Sequence, residues 1–163
     1  MLINLLFLVF STCLGARTRL GAVWFSLAED FIKKRIHSGA SKETDVITII
    51  LMGESSKVLM EHKPTDWHLY NEICQIYNQN NVVPVGHGCY IPALEVAEEI
   101  LSKNQSNSCA LNLTLLSDGR PSDHFVFNHS SHSKTFSVIQ DKVGALASKL
   151  GRRLTLATIG KIN

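Results

Sequence analysis

Three nearly unbroken apolar runs constrain the fold of this chain more than any other feature. They occupy residues 1–10, 46–52 and 109–116 and consist mainly of leucine, isoleucine, valine and phenylalanine. Runs of this length and composition are typical of strands that are buried on both faces of a parallel sheet. Segments with helical periodicity lie between them, so the sequence predicts an α/β fold in which right-handed crossovers place helices on both faces of the sheet.

Four segments show the spacing of amphipathic helices. The first carries Trp24 on its apolar stripe, and the second opens at Thr65 and Asp66, which are favourable residues for a helix N-terminus. Pro92 lies in the first turn of the third helix, and Gly151 can terminate the fourth. The aromatic side chains on these stripes are expected to pack in the core; they are Trp24, Trp67, Tyr70 and Tyr77.

Two shorter strands complete the predicted sheet. Residues 57–62 follow a turn and are expected to form an antiparallel edge strand in a hairpin with residues 46–52, and residues 153–159 make a final strand. The prediction is a doubly wound, mostly parallel, Rossmann-like sheet of about five strands with one antiparallel edge strand. A length of 163 residues fits a single domain, since domains cluster near about 100–200 residues.

The first ten residues also resemble the apolar core of a signal peptide, because the small residues Gly15 and Ala16 follow them. The run is too short to span a bilayer. No Lys or Arg precedes it, and its composition suits a buried strand, so we predict a strand and a cytoplasmic protein. The alternative is that residues 1–16 are a signal peptide and the protein is secreted.

Charge and cysteine content exclude several classes of partner. The net charge of +2 is too small to indicate nucleic acid or an anionic membrane as the main partner. Four cysteines without a Cys-x-x-Cys pair are typical of reduced thiols in an intracellular protein. Three Asn-x-Ser/Thr matches would matter only on a secretory route, and one of them, at Asn112, falls within a predicted strand.

The loops at the carboxyl ends of the predicted strands carry a resemblance to a known family. One loop and its strand read Leu-Leu-Ser-Asp-Gly-Arg-Pro-Ser-Asp at residues 115–123, and another reads Gly-His-Gly-Cys-Tyr at residues 86–90, before Ile-Pro-Ala-Leu. With the first strand and the helix after it, these segments resemble a von Willebrand factor A-type domain over nearly the whole chain. The resemblance implies a doubly wound fold that recognises protein ligands through a divalent metal at the top of the sheet.

The resemblance also implies a metal motif from which this sequence departs. The family supplies Asp-x-Ser-x-Ser in the first loop, Thr in the second and Asp in the third, as suits the oxygen preference of Mg²⁺. Residues 11–15 here read Ser-Thr-Cys-Leu-Gly, Gly88 takes the place of the Thr, and only Asp118 matches. The residual candidate ligands are Asp118 and Ser11, with Thr12 as a substitute if the loop shifts by one. We therefore expect no cofactor and no tightly bound Mg²⁺.

Relative to the family, the chain stops early. The family continues after the strand at residues 153–159 with a helix, a strand and a helix, whereas only Lys161, Ile162 and Asn163 follow Gly160 here. We expect the sheet to lack one edge strand, so that its last strand offers unpaired backbone groups to another chain. A fragment, a truncated gene product and a domain completed by a partner all fit this expectation.

These features predict a metal-independent protein-interaction module that is not an enzyme. The expected contact face is formed by the loops at the top of the sheet; its residues are Ser11, Thr12, Gly88, Cys89, Asp118 and Arg120. Arg120 is expected to pair with a carboxylate of the protein partner that a metal would otherwise hold.

Other constellations leave alternative functions open. Cys89 with His87 and Asp118 would suit a cysteine-dependent hydrolase if a neighbouring base activated the thiol. A secreted, metal-dependent adhesion fragment is the second alternative. The glycine pair at residues 86–88 is not a dinucleotide fingerprint, which requires a glycine-rich turn directly after the first strand. Three histidines could gather a transition metal, although such stretches are more often solvated loops; they are His124, His129 and His132.

Overall fold

The computed structural model describes most of the chain: residues 2–8, 19–79, 88–103, 109–116, 122–123 and 132–159. These residues form one sheet with helices packed on both of its faces. The predicted α/β class is therefore confirmed.

The sheet is mostly parallel. Its strands, in chain order, are β1 (Leu2–Leu8), β2 (Val46–Leu51), β3 (Lys57–Pro64), β4 (Ala110–Leu116) and β5 (Leu154–Ile159). Their order across the sheet is β3-β2-β1-β4-β5, and among these described strands only β3 is antiparallel to its neighbour. The five strands and the antiparallel edge strand agree with the prediction. The strand order reverses between β1 and β4, which directs attention to the carboxyl ends of these strands.

The helices cover both faces of the sheet. They are α1 (Arg19–Phe25), a π-helical segment (Ser26–Lys33), α2 (Lys34–His37), α3 (Trp67–Gln79), α4 (Tyr90–Lys103) and α5 (His132–Leu150). A 3₁₀ turn (Gly151–Arg153) then leads into β5. Within the described residues, no helix combines the length and the apolar character needed to cross a bilayer.

Two separate cores lie on the two faces of the sheet. On one face α4 and α5 pack against β2, β4 and β5, with Ile50, Leu111 and Leu113 among the buried strand residues. On the other face α1, the π-helical segment and α3 cover Ile47 and Ile49 of β2. β2 therefore contributes to both cores, as predicted for a strand that is buried on both faces.

The π-helical segment keeps an apolar stripe with a four-residue repeat facing the sheet. The stripe repeats every fourth residue, at Trp24, Ala28, Ile32 and Ile36, and all four pack into the second core. A four-residue repeat drifts around an α-helix, which completes a turn in about 3.6 residues. A π-helix has wider turns, so alternating the two keeps the stripe on the sheet-facing side.

The predicted helix boundaries are confirmed at several ends. Asp66 Oδ1 accepts the backbone N–H of Leu69 at 2.9 Å, so Asp66 caps the N-terminus of α3. Gly39 and Gly151 follow α2 and α5 with φ of 66° and 63°, the left-handed conformation that commonly ends a helix. Asn112 lies within β4, as predicted.

The prediction that the aromatic side chains of α3 pack in the core is wrong for Trp67 and Tyr77, whereas Tyr70 is half-buried and packs against the second core. Trp67 and Tyr77 are each 43% exposed, whereas Leu69 and Ile73 are buried against the sheet. Tyr70 lies at the seam with the π-helical segment, where it donates a hydrogen bond to Glu29 at 2.5 Å. This position lets the tyrosine hydroxyl keep a polar partner. Trp24, in contrast, is buried as predicted.

Candidate functional site

The predicted contact face lies partly outside the described residues. Gly88 and Cys89 belong to the described part and are both buried, directly before α4. His132 is the first residue of α5. The remaining predicted residues fall outside the described stretches; they are Ser11, Thr12, His87, Asp118, Arg120, His124 and His129.

The N-terminus of α4 is capped by a residue from a distant loop. Cys89 immediately precedes the helix and has no side-chain oxygen to accept its first N–H groups. Asp123 supplies both acceptors: its Oδ2 accepts the N–H of Tyr90 at 2.9 Å, and its Oδ1 accepts the N–H of Ile91 at 2.7 Å. This carboxylate is fully buried, and the positive end of the helix dipole compensates its charge.

A backbone hydrogen bond adds a second link between the same loops. Ser122 donates its N–H to the carbonyl oxygen of Gly88 at 3.1 Å. With the two bonds of Asp123, residues 122–123 are joined to residues 88–91 at three points. Parts of the second and third loops of the predicted site, residues 88–91 and 122–123, are thus brought together.

The thiol of Cys89 is buried and has acidic neighbours. Its burial raises its pKa to about 11, and the negative charges of Asp123 and of Glu54, in the loop after β2, contribute to the rise. The thiol therefore stays protonated at neutral pH. A nucleophilic cysteine requires the opposite environment, exposed and next to a base or a cation. The described surroundings of Cys89 do not supply what a cysteine-dependent hydrolase needs.

The described part of the site does not fit a hard cation such as Mg²⁺. Gly88 has no side chain, Cys89 offers a neutral sulfur, and both carboxylate oxygens of Asp123 accept backbone N–H groups. Among the described residues, no three His, Cys, Asp or Glu side chains form a group able to hold a metal. The candidate ligands Asp118 and Ser11 lie outside the described stretches, so the expectation about Mg²⁺ stays a prediction.

Sequence reasoning missed the roles of Asp123 and Glu54. Asp123 belongs to the segment that resembles the family motif, but its local sequence does not indicate that it caps α4. One signal was present: the two residues before α4, Gly88 and Cys89, include no good capping side chain, so the helix needed an acceptor from elsewhere. Which distant residue supplies it is not a property of local sequence.

Comparison with known proteins places the chain by its fold. The sequence matches no family model and no curated protein. Among solved structures, a von Willebrand factor type A protein from Catenulispora acidiphila superimposes with a TM-score of 0.55 at 9% identity, over 99% of this chain and 34% of its own. The vWF domain of the type V pili tip protein Mfa5 from Porphyromonas gingivalis gives 0.55 at 17% identity, over 74% and 38%.

A third similar structure is proximal thread matrix protein 1 from the mussel byssus, with a TM-score of 0.54 at 15% identity, over 98% of this chain and 35% of its own. The chain spans little more than a third of the length of these three structures. Their likeness shows that this chain has the fold of a von Willebrand factor A-type domain. The resemblance noted from the sequence is confirmed at the level of the fold.

Proposed function

We propose that this chain is a protein-interaction module of von Willebrand factor A type that binds a protein ligand through the loops at the top of its sheet. It holds those loops together without a tightly bound divalent metal and performs no catalysis. The proposed contact residues are Ser11, Thr12, Asp118 and Arg120. Gly88 and Cys89, which the sequence also suggested for this face, are buried and are not part of the proposed contact.

The hydrogen bonds of Asp123 are the main support for this proposal. In the family that the sequence resembles, a cation lies between the three loops at the top of the sheet. Here Asp123 joins the third loop to the second through two backbone N–H groups at the start of α4. Loops that protein groups hold in place can keep their shape without a cation, and shape is what recognition of a protein surface requires.

Two of the similar structures are proteins whose names indicate a part in an assembly, which supports a role in recognition for this chain. One neighbour is a pilus tip protein, and another is a matrix protein of the mussel byssal thread. The buried, neutral thiol of Cys89 adds support against a cysteine-dependent reaction, since its environment disfavours the thiolate. Together these observations favour recognition over catalysis.

Calorimetric titration tests the metal-independent part of the proposal. The full chain is titrated with Mg²⁺ and with Mn²⁺, and we expect no binding with a dissociation constant below about 1 mM, because one carboxylate and one hydroxyl cannot replace the hydration shell of Mg²⁺. The Asp118→Ala variant is the matched control. A sub-millimolar affinity that disappears in Asp118→Ala would overturn metal independence.

Partner binding tests the contact face itself. Cross-linking and mass spectrometry on the full chain first identify a bound protein. Binding of that protein is then compared between two variants, one in which an arginine of the contact face is replaced by alanine and one in which a distant lysine is replaced by alanine. Arg120→Ala should weaken binding by about tenfold if Arg120 pairs with a partner carboxylate. Lys42→Ala, at an exposed position before β2 and so at the opposite end of the sheet, should leave it unchanged. Full binding by Arg120→Ala would remove Arg120 from the contact face.

A further inference from the structure

Among the described residues, three of the five exposed large apolar side chains lie along one seam between helices. Phe25 is 55% exposed, and Trp67 and Tyr77 are each 43% exposed. Phe25 belongs to the helical run of residues 19–37, which consists of α1, the π-helical segment and α2, and the other two belong to α3. The run and α3 pack side by side over β2 and β3. Large apolar side chains that are exposed together are typical of a surface that binds another protein.

The helical run presents a stripe of four side chains to this seam. Residues 24, 28, 32 and 36 all pack into the second core, so a step of four residues returns to the same side of the run. The residues that follow each of them form the adjacent stripe, which consists of Phe25, Glu29, Lys33 and His37.

Contacts with α3 place this stripe at the seam. Glu29 accepts a hydrogen bond from the Tyr70 hydroxyl at 2.5 Å, and Lys33 Nζ lies 5.9 Å from the centre of the Tyr70 ring. The ring of His37 meets the ring of Trp67 edge to face, with centroids 5.2 Å apart. Phe25 continues the same stripe toward the amino end of the run.

α3 presents a matching stripe. Its members are spaced by three or four residues and therefore share one side of the helix; they are Trp67, Tyr70, Cys74 and Tyr77. Because His37 contacts Trp67 while Glu29 contacts Tyr70, the run and α3 are antiparallel. Tyr77 therefore lies at the same end of the seam as Phe25. We call the surface formed by these two stripes the aromatic seam.

The aromatic seam has the same character at both ends. Rings occupy each end, with Phe25 and Tyr77 at one and His37 and Trp67 at the other. One acid and one base lie between them on the run. Glu29 and Lys33 are 2.7 Å apart, and their side chains are 29% and 39% exposed, so both can reach a partner as well as each other.

A two-fold axis across the middle of the aromatic seam brings complementary groups together. It reverses the run, so that residue 29 of one copy faces residue 33 of the other and residue 25 faces residue 37. Glu29 then meets Lys33 twice, and Phe25 meets His37 twice. An interface between two identical copies requires such self-complementarity. A stripe with one acid and one base favours neither an acidic nor a basic partner, so its charges fit a second copy best.

The size of the aromatic seam predicts a weak dimer. α3 has 13 residues and is therefore about 20 Å long, and two adjacent helices cover a width of about 20 Å. The seam thus offers about 400 Å² to a partner, about half of what each protein contributes to an interface of standard size. Interfaces at this small end form transient complexes.

We infer that the aromatic seam binds a second copy of this chain and forms a reversible, two-fold symmetric dimer. The exposed rings of Phe25, Trp67 and Tyr77 become buried between the copies, and the two pairs of Glu29 and Lys33 join into a network of four charges. The seam is formed by helices that cover one face of the sheet, so it is separate from the loops proposed to bind a protein ligand. A dimer of this kind carries two sets of those loops and can bind two ligands at once.

Sedimentation equilibrium on the full chain tests this inference. Between about 10 μM and 1 mM, the average mass should rise toward twice that of the monomer, with a dissociation constant below about 0.5 mM. Tryptophan fluorescence gives a second readout, because Trp67 becomes buried in the dimer whereas Trp24 is already buried in the monomer. The emission should shift to shorter wavelength over the same range of concentration.

A pair of phenylalanine variants locates the interface. Phe25→Ser should raise the dissociation constant of the dimer at least about tenfold, because an apolar contact is lost from both copies. Phe136→Ser is the matched control, since Phe136 is 42% exposed on α5, which covers the other face of the sheet. This control should dimerise like the original chain.

Charge exchange tests the two-fold arrangement. Glu29→Lys and Lys33→Glu should each raise the dissociation constant at least about tenfold, because like charges then face each other twice. A mixture of the two variants should dimerise about as well as the original chain, because every lysine then faces a glutamate. Circular dichroism establishes that the variants fold. Phe25 is exposed, so Phe25→Ser keeps the test valid if the charge variants do not fold.

Four outcomes would overturn the inference. The first is a chain that stays monomeric at about 1 mM, and the second is a dimer that Phe25→Ser weakens no more than Phe136→Ser does. The third is a mixture of the two folded charge variants that stays monomeric. The fourth is a monomeric chain whose cross-linked protein partner is lost in Phe25→Ser, which would assign the seam to another protein. Arg120→Ala should dimerise normally, so failure of this inference is distinguishable from failure of the proposed function.

Discussion

At the scale of single residues, Asp123 connects two loops that are far apart in the sequence. Its two carboxylate oxygens satisfy two of the N–H groups that the first turn of α4 leaves without helical partners. The residue is fully buried, so its carboxylate accepts both bonds away from bulk water. Asp66 caps α3 through a single hydrogen bond to Leu69 and offers a natural comparison.

Removing the Asp123 side chain should therefore destabilise the protein more than removing an ordinary cap. Asp123→Ala is expected to lower the free energy of unfolding by about 2–4 kcal/mol, because two buried N–H donors lose charged acceptors. Asp66→Ala should lower it by about 1 kcal/mol. Urea denaturation measures both variants, and equal losses would show that Asp123 is an ordinary cap.

The protonated state of Cys89 predicts slow alkylation. A pKa of about 11 leaves about one thiol in 10⁴ ionised at pH 7, so iodoacetamide should modify Cys89 at least about 100-fold more slowly in the folded chain than in guanidinium. Mass spectrometry of digested protein follows the reaction site by site. The half-buried Cys74 is the internal control and should react earlier. Early, selective labelling of Cys89 would instead support a cysteine-dependent hydrolase.

The same thiol predicts how stability depends on pH in the alkaline range. The thiol pKa is about 8.5 in an unfolded chain and about 11 in the folded one, so the unfolded chain loses the proton first as pH rises. The free energy of unfolding should therefore fall between about pH 9 and pH 11. The fall should be shallower in Cys89→Ala, measured by urea denaturation at each pH. Identical slopes for the two proteins would contradict the raised pKa.

At the scale of elements, two glycines mark α5: one lies inside the helix and the other directly follows its last residue. Gly144 is exposed within α5, and Gly151 follows the helix with φ of 63°. A Cβ atom added to either glycine would meet no atom within 4 Å. The two positions therefore differ in backbone conformation and not in available space.

This pair makes a matched prediction. Gly144→Ala should raise the free energy of unfolding by about 0.5–1 kcal/mol, because alanine favours the helix and restricts the unfolded chain. Gly151→Ala should lower it by about 1 kcal/mol, because a residue with a Cβ is strained in the left-handed conformation. Thermal and urea unfolding of the two variants measure the effects, and a shift of the same sign in both would contradict the helix boundary.

Local patterns predicted where the helices and strands lie. They did not always predict which face of a helix is buried. Apolar runs identified β2 and β4, and capping residues identified the start of α3. The helical spacing of the aromatic residues of α3 predicts that they pack in the core. Leu69 and Ile73 lie on a different side of the same helix and have equally helical spacing, and they face the sheet. Two competing stripes cannot be ranked by periodicity, because the neighbouring helix decides which is covered.

At the scale of the whole molecule, β1 is the strand on which the sheet depends. It pairs with β2 on one side and with β4 on the other. The same residues also resemble the apolar core of a signal peptide. Cleavage after Ala16 would remove the central strand from this fold.

Deleting residues 1–16 should therefore abolish cooperative unfolding. Without β1, β2 and β4 lose their common neighbour, and the backbone N–H and C=O groups along their facing edges lose their partners. Circular dichroism during urea titration compares the shortened chain with the full chain. A cooperative transition in the shortened chain would contradict the central position of β1, and an intact mass that lacks residues 1–16 in the native protein would favour secretion.

The type and order of the elements follow from the amino-acid sequence, because helix and strand periods, caps and glycine turns act over a few residues. Three features depended on contacts between distant segments: the strand order, the side of α3 that faces the sheet and the cap that Asp123 provides to α4. Burial and long-range hydrogen bonds arise only when the chain closes on itself. A residue such as Asp123 therefore acquires its role from a helix that its own neighbours in the sequence do not indicate.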